Sequence, residues 1–274
     1  MKHLLNTLFV TTQGAYLFKE GESIVVSVER EERLRVPVHN LGGVVCFGNV
    51  MCSPFLLGHC AENGVGVSFL TENGRFLARV QGRVSGNVLL RREQYRRADD
   101  AAASARLARG FTIGKALNAR TVLQRAGRDH AEKESTAGLD GPIARLGHVA
   151  ESLRGDFPLD EVRGKEGDAA RAYFEAFDGL VTAQKEDFFF HERSRRPPMD
   201  NLNGLLSFVY TLLAHDCVGA LEAVGLDPQV GFLHRERPGR PSLALDLMDE
   251  FRPVLADRRV LQLGNLRQVQ GSGF

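Results

Sequence analysis

A chain of 274 residues is long for one hydrophobic core, so two domains are expected. With 43% hydrophobic and 25% charged residues and a formal net charge of +1, the composition is that of an ordinary soluble protein. No apolar run is long enough to span a bilayer, and Met1 to Asn6 lacks the apolar core of a signal peptide, so a cytoplasmic protein is expected. The four cysteines have no C-x-x-C spacing, which favours free or buried thiols over a zinc site or disulfides.

The first eighty residues are predicted to form strands, because short runs rich in Val, Leu and Phe alternate with Gly and Asn turns. The predicted strands are Leu4–Val10, Ala15–Phe18, Ser23–Val28, Arg33–Pro37, Val44–Phe47, Val65–Phe69 and Arg75–Val80. One helix interrupts them, with Ser53 as N-cap, Pro54 at the first helical position, and Asn63-Gly64 as the end. These patterns predict a small β domain.

The turn residues Ser85-Gly86-Asn87 mark a boundary, after which helical periodicity dominates. The expected fold class is therefore α+β, with an N-terminal β-sheet domain over residues 1–84 and a larger all-helical domain over residues 85–274. Amphipathic helices are predicted at Ser104–Leu123, Ile143–Leu153, Ala169–Phe190 and Asn203–Ala223.

Charge is unevenly distributed along the helical part. Residues 83–128 hold eleven Lys/Arg against three Asp/Glu, whereas residues 129–192 hold seven against fifteen. A basic helix that carries Arg91, Arg92, Arg96 and Arg97 suits contact with a phosphate backbone. The alternative for these arginines is a solvated face or an internal partner for the acidic segment.

The stretch from Gly231 to Pro253 contains the clearest candidate site. Leu243, Leu247 and Phe251 recur at helical spacing and are predicted to form a buried apolar face. The opposite face carries Asp246, Asp249 and Glu250, which repel one another at this spacing unless they lie in water, face arginines or hold a cation. His234 lies in the loop just upstream, where its ring can reach the acidic face.

A second acidic candidate is Glu166, in the stretch Gly164 to Phe174. It is predicted to lie in the first turn before an apolar stripe that starts at Ala169, where a helix dipole favours an anion. The alternative reading is that Glu166 only caps that helix.

Together these stretches resemble the CRISPR-associated integrase family, CRISPR-associated protein one. The resemblance rests on the run EGDAARAYF from Glu166, on His234, and on the run DLMDEFRP from Asp246. The run RPGRPSLALDLMDEFRP is similar to the I-C subtype. The resemblance implies that Glu166, His234 and Asp249 bind a divalent metal, with Asp246 as a supporting carboxylate in the catalytic set.

Two carboxylates and one imidazole, without a thiolate, favour Mg²⁺ or Mn²⁺ over structural Zn²⁺. Such an ion can activate an attacking oxygen and stabilise charge on a phosphodiester. With water as attacker the site is a nuclease; with a DNA 3′-hydroxyl it is an integrase, which is what the resemblance implies. The arginines around the acidic residues are candidates for substrate phosphates, or for pairing with Glu236, Asp246 or Glu250: Arg235, Arg237, Arg240 and Arg252.

The resemblance further implies double-stranded DNA as substrate, namely a spacer precursor and the CRISPR array. Insertion of two DNA ends needs two sites, so a homodimer is expected. The family forms it through the β domain, and the small CRISPR-associated protein two joins the dimers in a larger complex. Family members usually continue beyond Phe274, so a missing tail is expected to affect activity. The competing hypothesis is a catalytically idle DNA-binding or scaffolding subunit whose acidic face merely pairs with arginines.

Overall fold

The computed structural model describes residues 6–80, 82, 87–129 and 138–273. The chain divides into two compact units, Met1–Gly86 and Asn87–Phe274. Strands build the first unit and helices the second, so the predicted α+β class is confirmed. The division falls close to the predicted boundary, whose turn residues Ser85 and Gly86 lie outside the described residues.

Within its described residues, the first unit contains two four-stranded sheets. Its strands are β1 (Asn6–Val10), β2 (Tyr16–Glu20), β3 (Ser23–Val28), β4 (Glu31–Pro37), β5 (Leu41–Phe47), β6 (Met51–Cys52), β7 (Gly66–Leu70) and β8 (Phe76–Val80). One sheet has the order β1-β5-β7-β8, parallel except for the last pair. The other has the order β4-β3-β2-β6, with antiparallel β2/β3 and β3/β4 pairs and parallel β2/β6 pairing. Where the structure describes the chain, the sequence patterns missed only the two-residue strand β6. Leu4 and Leu5 of the first predicted strand lie outside the described residues.

Helix α1 (Pro54–Glu62) follows its predicted signals. Ser53 Oγ accepts a hydrogen bond from the backbone N–H of Leu56 (3.2 Å), and Pro54 occupies the first helical position. Asn63 ends the helix, and Gly64 adopts a positive φ of +69°. The apolar face of α1, including Leu56, joins side chains from both sheets in one core.

The second unit contains seven helices among the described residues. They are α2 (Val88–Asp99), α3 (Ala101–Asp129), α4 (Asp140–Ser152), α5 (Leu159–Glu175), α6 (Asn201–Ala223), α7 (Ser242–Phe251) and α8 (Arg258–Asn265). A π-helical turn, Arg252–Asp257, links α7 to α8. The long α3 lies against α4, α5 and α7, so it forms the centre of the helical unit.

Helix α5 differs from its prediction. It begins at Leu159 and ends at Glu175, so Glu166 lies in its middle and does not cap it. The segment predicted to continue as helix to Phe190 instead folds as short turns, with Phe177 and Phe188 fully buried. The apolar spacing of this segment resembles that of a helix because its aromatic side chains enter the core, although the backbone there forms turns.

Helix α6 corrects the expectation that no segment could span a bilayer. By length and composition alone, Asn201–Ala223 is apolar enough to cross a membrane. Its apolar side chains contribute to two hydrophobic cores of the helical unit, as Leu206 and Leu221 do.

Candidate functional site

Helix α7 buries two acids of the face for which the sequence left water, arginines or a cation as alternatives. Asp246 is fully buried and Asp249 is 2% exposed, whereas Phe251 is 37% exposed. The predicted apolar face is therefore wrong in its outer half, although Leu243 is buried as expected. Two acids can occupy the inner face because each meets positive charge or hydrogen-bond donors there, as buried carboxylates require.

Asp249 lies between two buried cations. Lys115, on α3, donates a hydrogen bond from Nζ to Asp249 Oδ2 (3.0 Å), and Arg252 Nη2 lies 2.8 Å from Asp249 Oδ1. Burial alone would raise the pKa of Asp249, but the charges of Lys115, Arg252 and His234 outweigh it and lower that pKa to about 2. Asp249 is therefore ionised at neutral pH.

Lys115 also donates to Glu166 Oε1, so one ammonium group bridges the two predicted metal-binding carboxylates. Glu166 reaches this point from the middle of α5, and its side chain keeps 25% of its surface exposed. Three neighbouring helices, α3, α5 and α7, thus converge on one carboxylate pair. The structure brings Glu166 and Asp249 together as predicted, with a lysine between them that the prediction did not include.

Asp246, which the resemblance implies is a supporting carboxylate, contacts the loop that carries His234. Its Oδ2 accepts backbone N–H groups from Phe232 (2.6 Å) and Leu233 (2.9 Å), and its Oδ1 accepts the backbone N–H of His234 (2.9 Å). Oδ1 also lies 2.7 Å from His234 Nδ1. With both oxygens used in this way, Asp246 holds the histidine loop and orients the ring, and no oxygen is left to face a metal ion.

The loop that carries His234 requires a close backbone approach. A Cβ at Gly231 would lie 2.7 Å from the backbone carbon of Ser242 and 2.9 Å from Asp246 Oδ2. From the other side, Arg163 on α5 donates from Nε to the carbonyl of Leu233 (2.8 Å). The loop is thus fixed by both α5 and α7, which places His234 at the edge of the carboxylate pair.

A second polar network lies behind Arg252. The Arg252 guanidinium stacks over the Tyr210 ring at 4.7 Å, and the Tyr210 hydroxyl donates to Asp257 Oδ1 at the end of the π-helical turn. Burial raises the pKa of Asp257 to about 6. This network fixes the cation that flanks Asp249 and leaves Arg252 only 8% exposed.

The donor set fits a divalent ion such as Mg²⁺ or Mn²⁺, because two carboxylates and an imidazole supply hard oxygen and nitrogen ligands. Asp249 Oδ1 is buried and lies 2.8 Å from Arg252 Nη2, in an ion pair without hydrogen-bond geometry. Within the part of the chain that the structure describes, however, no three acidic, histidine or cysteine side chains are close enough to form a ready ligand cluster. Lys115 supplies the positive charge instead.

The arginines predicted to contact DNA fall into different environments. Arg91 donates from Nε to the carbonyl of Gly225 (3.0 Å), and Arg96 and Arg97 both pair with Glu93. Arg92 is exposed and forms no ion pair among the described residues. The helix α2 that carries them is anchored by the buried Gln94, which donates to the carbonyls of Asp227 and Val230.

The arginines of the histidine loop are more accessible. Arg235 and Arg237 are exposed, with Arg235 lying 3.4 Å from Asp160, and Arg240 is half-buried. Arg252 corrects the prediction of a phosphate contact, because its guanidinium is buried between Asp249 and Tyr210. Arg252 pairs with an acid, but the partner is Asp249 and none of the three acids that were considered, Glu236, Asp246 and Glu250.

Lys115 is the residue that sequence reasoning missed. It stands in the apolar stripe of α3, one residue before Ala116 and three after Thr112, both of which are fully buried. A lysine at a buried helical position requires a buried acid as partner. A lysine in an apolar helical stripe was therefore the signal in the sequence, and it indicates an ion pair between Lys115 and an acid such as those of α7.

Comparison with known proteins identifies the family. The family model described as CRISPR associated protein Cas1 matches residues 8–274. The CRISPR-associated endonuclease Cas1 1 of Chlorobaculum tepidum is 56% identical over 274 residues, which cover 100% of this chain and 80% of the relative. The CRISPR-associated endonuclease Cas1 2 of Rhodospirillum rubrum is 49% identical over 278 residues, with 100% and 80% covered.

Solved structures share the fold. A CAS1 protein from Thermotoga maritima aligns with a TM-score of 0.78 at 24% identity, covering 97% of this chain and 80% of that one. A casposase bound to integration product aligns at 0.77 and 24% identity, covering 98% and 75%. A chain of a Cas6-RT-Cas1–Cas2 complex aligns at 0.75 and 21% identity, covering 99% and 29%. With the family model and these relatives in agreement, the chain belongs to the CRISPR-associated Cas1 family.

Proposed function

We propose that this protein is a metal-dependent DNA endonuclease and integrase of the CRISPR adaptation module, which inserts spacer DNA by attack of a 3′-hydroxyl on a phosphodiester. The family and the relatives named as CRISPR-associated endonucleases support the nuclease chemistry. The observation that carries the proposal is the carboxylate pair of Glu166 and Asp249, held on α5 and α7 with His234 fixed beside it by Asp246.

The proposed ligands of the metal are Glu166, His234 and Asp249. Mg²⁺ or Mn²⁺ bound by these residues would supply an electrophile for the phosphodiester and lower the pKa of an attacking oxygen. Asp246 contributes by orientation, because it accepts from the His234 loop and turns Nδ1 of the ring inward. That arrangement leaves Nε2 as the ring nitrogen available for a ligand.

The proposed DNA contacts are the exposed arginines Arg92, Arg235 and Arg237, together with Arg96, Arg97 and Arg240. Exposed guanidinium groups bind phosphates with paired N–H donors and carry no sequence preference of their own. Arg91 and Arg252 hold structural positions in the protein, so we leave both out of this set.

We propose a homodimer formed through the first unit, because insertion of two DNA ends needs two sites. That unit exposes several large apolar side chains, which are typical of an interface: Phe9 at 52%, Met51 at 59%, Phe55 at 85% and Leu77 at 53%. A second partner, CRISPR-associated protein two, fits the likeness to a chain of a Cas1–Cas2 complex. We place the protein in the cytoplasm, where that DNA is found.

One observation favours the second candidate, a DNA-binding or scaffolding subunit without catalysis. Lys115 and Arg252 already neutralise the carboxylates, as a purely structural ion-pair cluster would. The two candidates differ in whether a divalent ion binds there.

The test is metal-dependent cutting of plasmid DNA and joining of a linear fragment with free 3′-hydroxyls. Glu166→Ala, His234→Ala and Asp249→Ala should each reduce both activities at least about 100-fold, as expected when a group acting in the transition state is lost. The matched control is Glu161→Ala, an exposed acid on the same helix, which should keep full activity. Retained activity in all three site variants, or no activity in the parent with any divalent ion, would refute the proposal.

A further inference from the structure

The Lys115 ammonium lies between the two carboxylates that the proposed function assigns to a metal ion. We propose that Lys115 is an exchangeable counter-cation, which neutralises Glu166 and Asp249 in the metal-free protein and moves to Asp257 when a divalent ion is bound. This inference rests on the proposed function and concerns how the same site tolerates both states.

The metal-free state needs such a cation. Asp249 is 2% exposed and ionised, and Glu166 approaches the same ammonium from the neighbouring helix. Two carboxylates brought together away from water repel each other unless positive charge lies between them. Lys115, itself only 8% exposed, supplies that charge and keeps α3, α5 and α7 together.

Lys115 cannot keep this position beside a divalent ion, because both cations would use the same carboxylate oxygens and would repel each other at close range. The ammonium therefore needs a second set of acceptors within reach of its flexible side chain. A buried ammonium left without acceptors would be strongly unfavourable.

The structure provides that second set. A small cavity of about 10 Å³ adjoins Lys115 and is lined also by Tyr173, Arg252 and Asp257. This is roughly the space that one water molecule needs, and an ammonium group is of similar size. The cavity therefore lies within the protein at the point where a displaced Lys115 head group would go.

The lining of this cavity includes two buried oxygen atoms, Asp257 Oδ2 and Tyr173 Oη, which interact with each other but form no hydrogen bond of normal geometry. Asp257 is 1% exposed, and its other oxygen accepts from Tyr210. Buried polar atoms are rarely left unpaired, so each such atom calls for an explanation. Lys115 in its second position would give Asp257 Oδ2 a charged donor of normal geometry.

Burial raises the pKa of Asp257 to about 6, and Lys115 is among the nearby charges that oppose this rise. An ammonium moved closer to Asp257 would stabilise the ionised form of this carboxyl group. Asp257 could then accept a hydrogen bond from Lys115 at neutral pH.

The two residues should then change metal affinity in opposite directions. Lys115→Met removes the competitor, so the Mn²⁺ dissociation constant should fall at least about 10-fold, while the melting temperature without metal falls because the acids lose their partner. Asp257→Asn removes the second position and should raise the dissociation constant at least about 5-fold. In the double variant the effect of Asp257→Asn should vanish, since no lysine remains to move.

These affinities can be measured by calorimetric titration of the full chain with Mn²⁺, independently of DNA cutting. The matched control is Asn118→Ala, on the same face of α3, which loses a hydrogen bond to the Glu250 carbonyl (2.8 Å) but no charge. It should lower the melting temperature and leave the affinity unchanged.

Equal or weaker binding by Lys115→Met, or an unchanged effect of Asp257→Asn in the double variant, would overturn the exchange while leaving the metal site intact. Absence of Mn²⁺ binding in the parent and in Lys115→Met alike would overturn the metal site itself, and the exchange with it. Should Lys115→Met not fold, a crystal structure of the parent with Mn²⁺ decides the question. Lys115 Nζ should lie at Asp257 Oδ2, and Nζ still bridging Glu166 and Asp249 would refute the proposal.

Discussion

The two units of this protein bury different kinds of side chain. The core shared by the two sheets and α1 is built from aliphatic groups such as Leu17, Ile24 and Leu56. Within the described residues, every buried aspartate, lysine and arginine lies in the helical unit, mostly around α7. The β unit is held by removal of apolar surface from water, whereas the centre of the helical unit depends on paired charges whose partners must all be present.

The largest expected effect comes from Asp246. Asp246→Ala would leave three backbone N–H groups, two of them buried, and the His234 ring without their acceptor. We expect a loss of about 3–5 kcal/mol in the free energy of unfolding, measured in urea. Leu56→Ala in the β unit should cost a similar ~2–5 kcal/mol through a cavity.

The stability loss in Asp246→Ala needs a control that removes an acid from the same region without removing buried contacts. The exposed acid of the histidine loop, Glu236, provides the control, because Glu236→Ala should change stability by less than about 0.5 kcal/mol. An Asp246→Ala loss no larger than that of Glu236→Ala would show that the paired centre is not held together as described.

A second prediction uses pH. Asp257 has a pKa of about 6 in the folded protein against an ordinary 3.8, so its contribution to stability is full below pH 4 and is lost as the pH rises through 6. A difference of about two pKa units corresponds to roughly 3 kcal/mol. The difference in unfolding free energy between parent and Asp257→Asn should therefore shift by about that amount between pH 4 and 7. A constant difference over this range would contradict the raised pKa.

A third prediction tests the close approach at the histidine loop. Gly231→Ala places a Cβ within 2.7 Å of the Ser242 backbone, so we expect a loss of about 1–3 kcal/mol and weaker metal binding. Gly110→Ala is the control, because a Cβ at this position in α3 meets nothing within 4 Å. It should raise stability by up to about 1 kcal/mol, as Ala generally does in a helix.

The smallest effect on stability is expected at Arg92. Arg92→Gln should change the unfolding free energy by less than about 0.5 kcal/mol but reduce the salt dependence of DNA binding by roughly one unit of slope. Arg91→Gln is the matched change one residue away and loses a bond to the Gly225 carbonyl, so it should cost about 1 kcal/mol and leave the slope unchanged. If Arg92→Gln and the parent show equal slopes, Arg92 makes no phosphate contact and is only a solvent-exposed side chain.

The β unit was predictable because its signals are local. Ser53, Pro54 and Gly64 fix α1 by hydrogen bonding and backbone conformation, and the strand alternation follows directly from burial of apolar side chains. The α+β class followed from the order of these patterns along the chain.

The arrangement of the site was harder to predict from the sequence. Glu166, His234 and Asp249 were identified by family resemblance, but the face of α7 that is buried depends on Lys115, which lies 134 residues from Asp249 in sequence. Periodicity counts an aspartate as polar whether or not a distant lysine neutralises it. The role of Asp246 likewise depends on three backbone donors in a loop, which no side-chain pattern reveals.

The π-helical turn at Arg252–Asp257 has a consequence for how this region can vary in length. A π turn accommodates one residue more than an α turn, and one residue corresponds to about 100° of rotation around a helix axis. Deleting a residue here would leave a continuous helix, yet it would rotate the buried Val260 and Leu261 of α8 away from their core. We therefore expect an insertion or a deletion between α7 and α8 to destabilise the helical unit, even though the peptide backbone could accommodate it.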